Sequence, residues 1–231
     1  MIQVVTPQWF YGKDLMIDVV SVFVLSLIAF FSIRYYKINR KNKNHLYLAV
    51  SFFLIAVSFL AKILTNFTLY YHIFETKTFG LYTLTYHTIK ASAILFDIGY
   101  LFYRILMLLG LYMLYSIYYK DQPKSNIFII AFFILISTYF SQAAYSTFHL
   151  TALAFLALIT LHLYKNFRKN RQFTAKLLAS SFAIISVSQV FFMSATFNNL
   201  LYVIAEAIQL IGYLILLITF FKVLRNAKKK E

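Results

Sequence analysis

The sequence predicts an all-α integral membrane protein, built as a seven-transmembrane-helix bundle. Two observations lead to this class. Of the 231 residues, 61% are hydrophobic and only 13% are charged, whereas a soluble domain has about 45–50% apolar and about 25% charged residues. The apolar residues also occur in runs of roughly 20, the length a helix needs to cross a hydrocarbon layer about 30 Å thick. A soluble globular domain and a disordered chain are thereby excluded, and residues 1–231 form one transmembrane domain.

Seven hydrophobic segments meet or approach the length of a membrane span. We predict spans at about 15–36, 46–69, 90–118, 126–142, 146–165, 174–196 and 198–221. The fourth is the shortest, and the third is long enough to tilt or to project from the membrane. A six-span alternative merges the last two segments, but one helix over 174–221 would be about 70 Å long at 1.5 Å per residue. Seven spans are therefore the better interpretation.

The positive charges alternate between the two sides of the predicted bundle. Of the 22 Lys and Arg residues, 17 lie in the loops after spans one, three and five or in the basic tail at 222–231. The opposite side holds Lys13, Lys77 and Lys90. Cytoplasmic loops carry an excess of Lys and Arg. The sequence therefore predicts a multi-pass protein of the cell membrane, with its N-terminus outside and its C-terminus in the cytoplasm.

Two segments are expected at the outer surface. Residues 70–89 form the only sizeable loop that the predicted topology places outside. Before the first span, the aromatic run Trp9, Phe10 and Tyr11 is typical of an anchor at the membrane interface, where amphipathic rings are enriched.

Ionisable and amide side chains inside the spans form the candidate site. A charged residue at the centre of a span costs roughly 2.5–3.5 kcal/mol on insertion, so each one indicates a partner or a function. Counted at 1.5 Å per residue, polar residues from antiparallel spans fall at similar depths in the outer half. The predicted residues of a ligand or proton pathway are Asp18, Lys62, Asp97, Arg104, Gln189, Glu206 and Gln209.

Helical spacing gives these residues expected neighbours. Spans one, two, three and seven each have a polar face that can point to a common interior. Arg104 lies too deep to reach the interface easily, so we expect it to contact Asp18, Asp97 or Glu206. On the opposite face of span three, Gly99 and Gly110 predict the close approach of a neighbouring helix.

Three functions are compatible with this polar layer. The first is a receptor-like or sensory bundle with a polar pocket in its outer half, which binds a small ligand and signals to a cytoplasmic partner. The second is a small proton-coupled transporter or an ion-conducting protein, in which a buried carboxylate titrates. The third is a membrane subunit of a larger complex, in which the polar layer is purely structural, since interhelical hydrogen bonds stabilise bundles.

Other classes find less support in the residues. No nucleophile and base can be paired, so we do not expect an enzyme, and no cofactor motif is present. The chain has 5 His and no Cys, and the histidines do not recur at metal-ligand spacing, so no metal site is predicted. The net charge of +15 follows from the basic loops rather than from nucleic-acid binding. The expected partners are the lipid bilayer and, as open alternatives, a small outer ligand and a cytoplasmic or membrane protein.

The cation distribution predicts which residues a membrane-impermeant thiol reagent reaches in intact cells. Because the chain has no cysteine, single cysteines can be introduced without background labelling. Lys41→Cys, in the first basic loop, should stay unlabelled, and Thr83→Cys, in the outer loop, should be labelled. Labelling of Lys41→Cys from the outside would overturn the predicted orientation.

Overall fold

The computed structural model describes residues 6–38, 40, 43–70, 75–79, 82–86, 89–119, 124–141 and 145–228. Within these residues the chain forms seven α-helices and one β-hairpin, preceded by a 3₁₀ turn over Gln8–Phe10. The helices are α1 (Lys13–Ile38), α2 (Asn44–Tyr70), α3 (Ile89–Tyr118), α4 (Lys124–Phe140), α5 (Tyr145–Asn170), α6 (Phe173–Ser194) and α7 (Leu200–Lys228).

Six helices of the described chain are long and apolar enough to cross a membrane, namely α1, α2, α3, α5, α6 and α7. They confirm the predicted helical, multi-pass architecture. Helix α4 has 17 residues, which is about 25 Å at 1.5 Å per residue, and its apolar stretch in the described chain is Ile130–Phe140. The assignment of α4 as a seventh span therefore stays a prediction.

Two helices continue further into basic sequence than the hydropathy pattern indicates. Helix α5 ends at Asn170 and α7 at Lys228, so most of the predicted tail at 222–231 is helical. Lys and Arg are good helix formers, and cations near a helix C-terminus are stabilised by the helix dipole. Arg171 follows α5 with a φ of 52°, and its N–H donates to Phe167 O at 2.8 Å, as is common at helix C-termini.

The helices form a closed ring. Each of α1, α2, α3, α5, α6 and α7 contacts the next in that order, and α7 contacts α1. Helix α4 packs on the outside of this ring, against α3 and α5. We call the end where α1, α3, α5 and α7 finish the basic end, because most Lys and Arg residues lie there. The short connections from α5 to α6 and from α6 to α7 favour such antiparallel neighbours.

Large apolar side chains cover the outside of the ring. Phe23, Leu64, Phe133 and Leu161 are each more than half exposed. A soluble monomer rarely exposes apolar patches of this extent. The exposed surface therefore matches a lipid bilayer, as the composition predicts.

A two-stranded antiparallel hairpin lies between α2 and α3. Strand β1 (Glu75–Phe79) pairs with β2 (Tyr82–Tyr86), with Thr76 opposite Thr85 and Thr78 opposite Thr83. Thr, Tyr and Phe favour strands, and they dominate both segments. The hydropathy reading treats residues 70–89 only as a loop, because strands this short leave no membrane-span signal.

Glycine allows α3 to approach α2 closely, as the sequence predicts. A Cβ at Gly110 would lie 2.6 Å from Ile55 Cγ1 and 3.0 Å from the Ser51 carbonyl oxygen. A Cβ at Gly99 would meet the Thr65 side chain in the same way. Small residues at helix interfaces let backbones pack together in membranes.

Replacing Gly110 with Val should therefore destabilise the fold. The added carbons meet the α2 backbone, and overpacking of this kind costs typically about 1–3 kcal/mol. We expect a lower midpoint of thermal unfolding in detergent. Ala154→Val adds comparable bulk on an exposed position of α5 and should leave the midpoint unchanged. An equal effect of both substitutions would show that the close contact is unimportant.

Candidate functional site

One buried ammonium joins three helices. Lys62 Nζ on α2 lies 3.0 Å from Asp18 Oδ1 on α1 and 2.6 Å from Glu206 Oε1 on α7. The exposed fractions of the three residues are 4%, 0% and 1%. Charge-assisted hydrogen bonds of this length are strong, and buried charges require such pairing. We call Asp18, Lys62 and Glu206 the charge centre.

Aromatic rings surround the ammonium. Lys62 Nζ is 5.7 Å from the ring centroid of Phe59 and 5.9 Å from that of Tyr202. Tyr103 packs against Phe59, with ring centroids 6.2 Å apart. A cation over an aromatic face is attracted by the ring quadrupole. The rings therefore contribute to holding the ammonium while they exclude water from it.

A second polar group lies one helical turn from the charge centre. Asp14 is completely buried and precedes Asp18 by four residues, so both carboxylates lie on the same face of α1. Asn66 Nδ2 donates to Asp14 Oδ2 at 3.4 Å, and the Tyr100 hydroxyl donates to Asn66 Oδ1 at 3.1 Å. The site residues predicted from the sequence do not include Asp14, because the first predicted span begins one residue after it. Its i, i+4 spacing to Asp18 is the signal that could have identified it.

Two buried polar atoms beside Lys62 have no hydrogen-bond partner among the residues that the structure describes. They are Asp18 Oδ2 and the Tyr202 hydroxyl oxygen. An unsatisfied buried polar atom costs about 1–3 kcal/mol. A proton or a small polar species would satisfy both kinds of atom, since a carboxylate oxygen accepts and a hydroxyl also donates.

Apolar packing closes the charge centre at the end remote from the basic end. Phe10, from the 3₁₀ turn, is buried in a cluster with Phe192, Ala195, Tyr202 and Ala205. Its neighbour Trp9 is 56% exposed, so the residues of the predicted interfacial anchor differ in their surroundings. Trp9 faces outward, whereas Phe10 belongs to the core.

Arg104 does not make the predicted contact with a carboxylate. It is buried, yet the ion pairs of the described residues all involve Lys62. Its guanidinium carbon lies 5.5 Å from the Tyr100 ring centroid instead. The expectation was wrong because Lys62 takes both nearby carboxylates. The third candidate carboxylate, Asp97, is exposed.

The two predicted glutamines, Gln189 and Gln209, make hydrogen bonds in different parts of the bundle. His149 Nδ1 donates to Gln189 Oε1 at 2.8 Å, and the His149 ring stacks on Phe192 at 4.8 Å. Phe192 in turn contacts the Tyr202 ring, which faces Lys62. Gln209 Nε2 donates to the Tyr213 hydroxyl at 3.2 Å. Gln189 is therefore linked to the charge centre through aromatic rings, and Gln209 is bonded within α7.

Carboxylates outnumber the ammonium in this part of the bundle. Two carboxylates share one ammonium, and a third carboxylate lies one turn away. In the described part of the chain, no group of three His, Cys, Asp or Glu side chains is placed to hold a metal ion.

No protein-family model, curated protein or solved structure matches this chain.

Replacing Lys62 with Met should lower the free energy of unfolding by about 3–5 kcal/mol, because two buried carboxylates lose their cation. In an Asp18→Asn, Glu206→Gln background the same replacement should have a much smaller effect. Thermal or denaturant unfolding in detergent measures the effect of the replacement in both backgrounds.

The matched control for this experiment is Arg104→Met. It removes a buried cation that has no ion pair to a described residue. Its effect should therefore be the same with and without Glu206→Gln. Additive effects for the Lys62 variants would contradict the geometry of the charge centre.

Proposed function

We propose that this protein is a receptor-like or sensory seven-helix membrane bundle and that the charge centre is its switch. The observation that supports this proposal is the shared ammonium: Lys62 bonds to a carboxylate on α1 and to another on α7. These two helices close the ring. A change at a single buried group would therefore alter how the first and last helices are held.

Protonation provides the simplest form of the switch. A proton on Glu206 removes one of the two charge pairs of Lys62, and the bond that holds α7 to α2 weakens. Buried ionic groups that bias a packed element between two arrangements are a common basis for sensing.

A small ligand from the outside would act on the same centre. Separation of α1 from α7 would open the outer-half polar pocket, with Asp14, Asp18 and Glu206 on its walls. Three carboxylates against one ammonium favour a cationic or proton-donating ligand. In this proposal the N-terminus is outside the cell membrane, α4 is the seventh span, and the basic cytoplasmic loops contact a signalling partner.

A proton-coupled transporter or an ion-conducting protein is the second candidate. It is favoured by Asp18 Oδ2 and the Tyr202 hydroxyl, which have no hydrogen-bond partner in the described part of the chain, because a transported proton needs vacant acceptors along its path. A membrane subunit of a larger complex with a purely structural charge centre is the third. In all three, the protein is proposed to carry out no enzymatic reaction.

Glu206→Gln should remove the pH response of the bundle with little change in its shape, because the amide keeps one acceptor oxygen. Spin labels on Phe30→Cys in α1 and Leu161→Cys in α5, both exposed, report the distance across the ring by pulsed EPR. Wild type should show different distance distributions at pH 8 and pH 5, and Glu206→Gln should show one. Asp97→Asn, at an exposed carboxylate, should respond as wild type does.

The same proteins in liposomes distinguish the candidates. A proton-coupled carrier would move protons down an imposed gradient, detected with an internal pH dye, and Glu206→Gln would stop this flux. A sensor would show the distance change without flux. Identical distances at both pH values, with no flux, would leave the structural subunit as the remaining function.

A further inference from the structure

A partly open cavity lies between helices near the basic end. Its volume is about 280 Å³, and its walls come from α1, α2, α3, α6 and α7. Phe52, which lines it, precedes Lys62 by ten residues, or about 15 Å along α2. The cavity is therefore separate from the charge centre, and its volume is close to the lower end of small-molecule sites, which begin at about 300 Å³.

The walls of this cavity are mostly hydrocarbon. Four phenylalanine rings, Phe31, Phe52, Phe182 and Phe220, line it together with Leu48 and Leu178. Two hydroxyls on the wall already donate within their own helices, from Ser32 to Ile28 O and from Thr219 to Ile215 O. Most of an occupant would thus be aliphatic or aromatic, since most of the wall is apolar and offers no hydrogen bonds.

One polar ring on the wall has no hydrogen bond to the described residues. His45 lines the cavity and stacks against Tyr35, with ring centroids 5.3 Å apart. An imidazole always carries at least one N–H donor. His45 can therefore donate to an acceptor on an occupant.

Positively charged side chains lie beside the cavity, and the carboxylates of the described helices do not. Lys222 Nζ lies 4.5 Å from the ring centroid of Phe173, the residue before the lining residue Thr174. Lys176 and Arg34 are exposed neighbours of the lining residues Ala175 and Tyr35. The carboxylates of the described helices, by contrast, belong to the other end: Asp14, Asp18, Asp97 and Glu206. The potential at this end favours an anion.

We propose that this cavity binds an amphiphile with one hydrocarbon chain and an anionic head, such as an aliphatic carboxylate. The chain occupies the phenylalanine-lined interior, and the head accepts from His45 and lies near Lys222. The volume accommodates one short chain and is too small for the two chains of a phospholipid. The site is independent of the charge centre and of the function proposed for it.

Equilibrium binding to protein in zwitterionic nanodiscs tests the proposal, with radiolabelled dodecanoate as the probe and binding to empty nanodiscs subtracted. We expect saturable binding of one dodecanoate per protein. Dodecanol, which has the same chain and no charge, should bind much more weakly. Equal binding of the alcohol would overturn the anionic head group, and binding that does not saturate would overturn the site.

Matched substitutions locate the probe. Ala175→Trp fills the cavity and should abolish saturable binding, whereas Ala154→Trp, at an exposed position of α5, should not. Lys222→Gln should weaken binding about fivefold, the effect of one cation near an anionic group, and Lys165→Gln, also exposed at the basic end, should not weaken it. If neither Lys222→Gln nor His45→Phe weakens dodecanoate binding, the proposal is wrong, even where Ala175→Trp fails to fold.

Discussion

An ammonium group buried among helices must be paired, because an isolated charge in a low-dielectric interior is extremely costly. In this protein the ammonium of Lys62 meets Asp18 and Glu206 at once. This requirement fixes the rotation of α1, α2 and α7 about their axes, since each must turn its charged residue inward. The order of helices in the ring and the outward position of the apolar side chains are consistent with the same rotation.

Aromatic side chains make this pairing possible in a narrow space. The chain contains 19 Tyr and 26 Phe. Some of their rings pack on the ammonium and on each other, and Phe10 of the 3₁₀ turn packs in the same region. Rings bury a large area with few rotatable bonds. They thus exclude water from the charge centre, where Asp18 Oδ2 and the Tyr202 hydroxyl have no hydrogen-bond partner among the described residues.

The two ends of the bundle differ in chemistry. One end buries carboxylates around a cation, closed by Phe10, and the basic end has an apolar cavity flanked by Lys and Arg. Helices α1, α2 and α7 contribute residues to both sites.

The sequence by itself determined the membrane class, the helices and the polar residues of α1, α2 and α7, because hydropathy and spacing depend only on local composition. It also determined that Gly110 meets a neighbouring helix. Only the tertiary structure decided which cation the carboxylates pair with, and it selected Lys62 over Arg104. It added Asp14, one residue outside the predicted span, and left Asp97 exposed. These outcomes depend on how each helix is rotated about its axis and on how far each side chain reaches. A sequence pattern contains neither quantity, because both are differences of a few ångström in three dimensions.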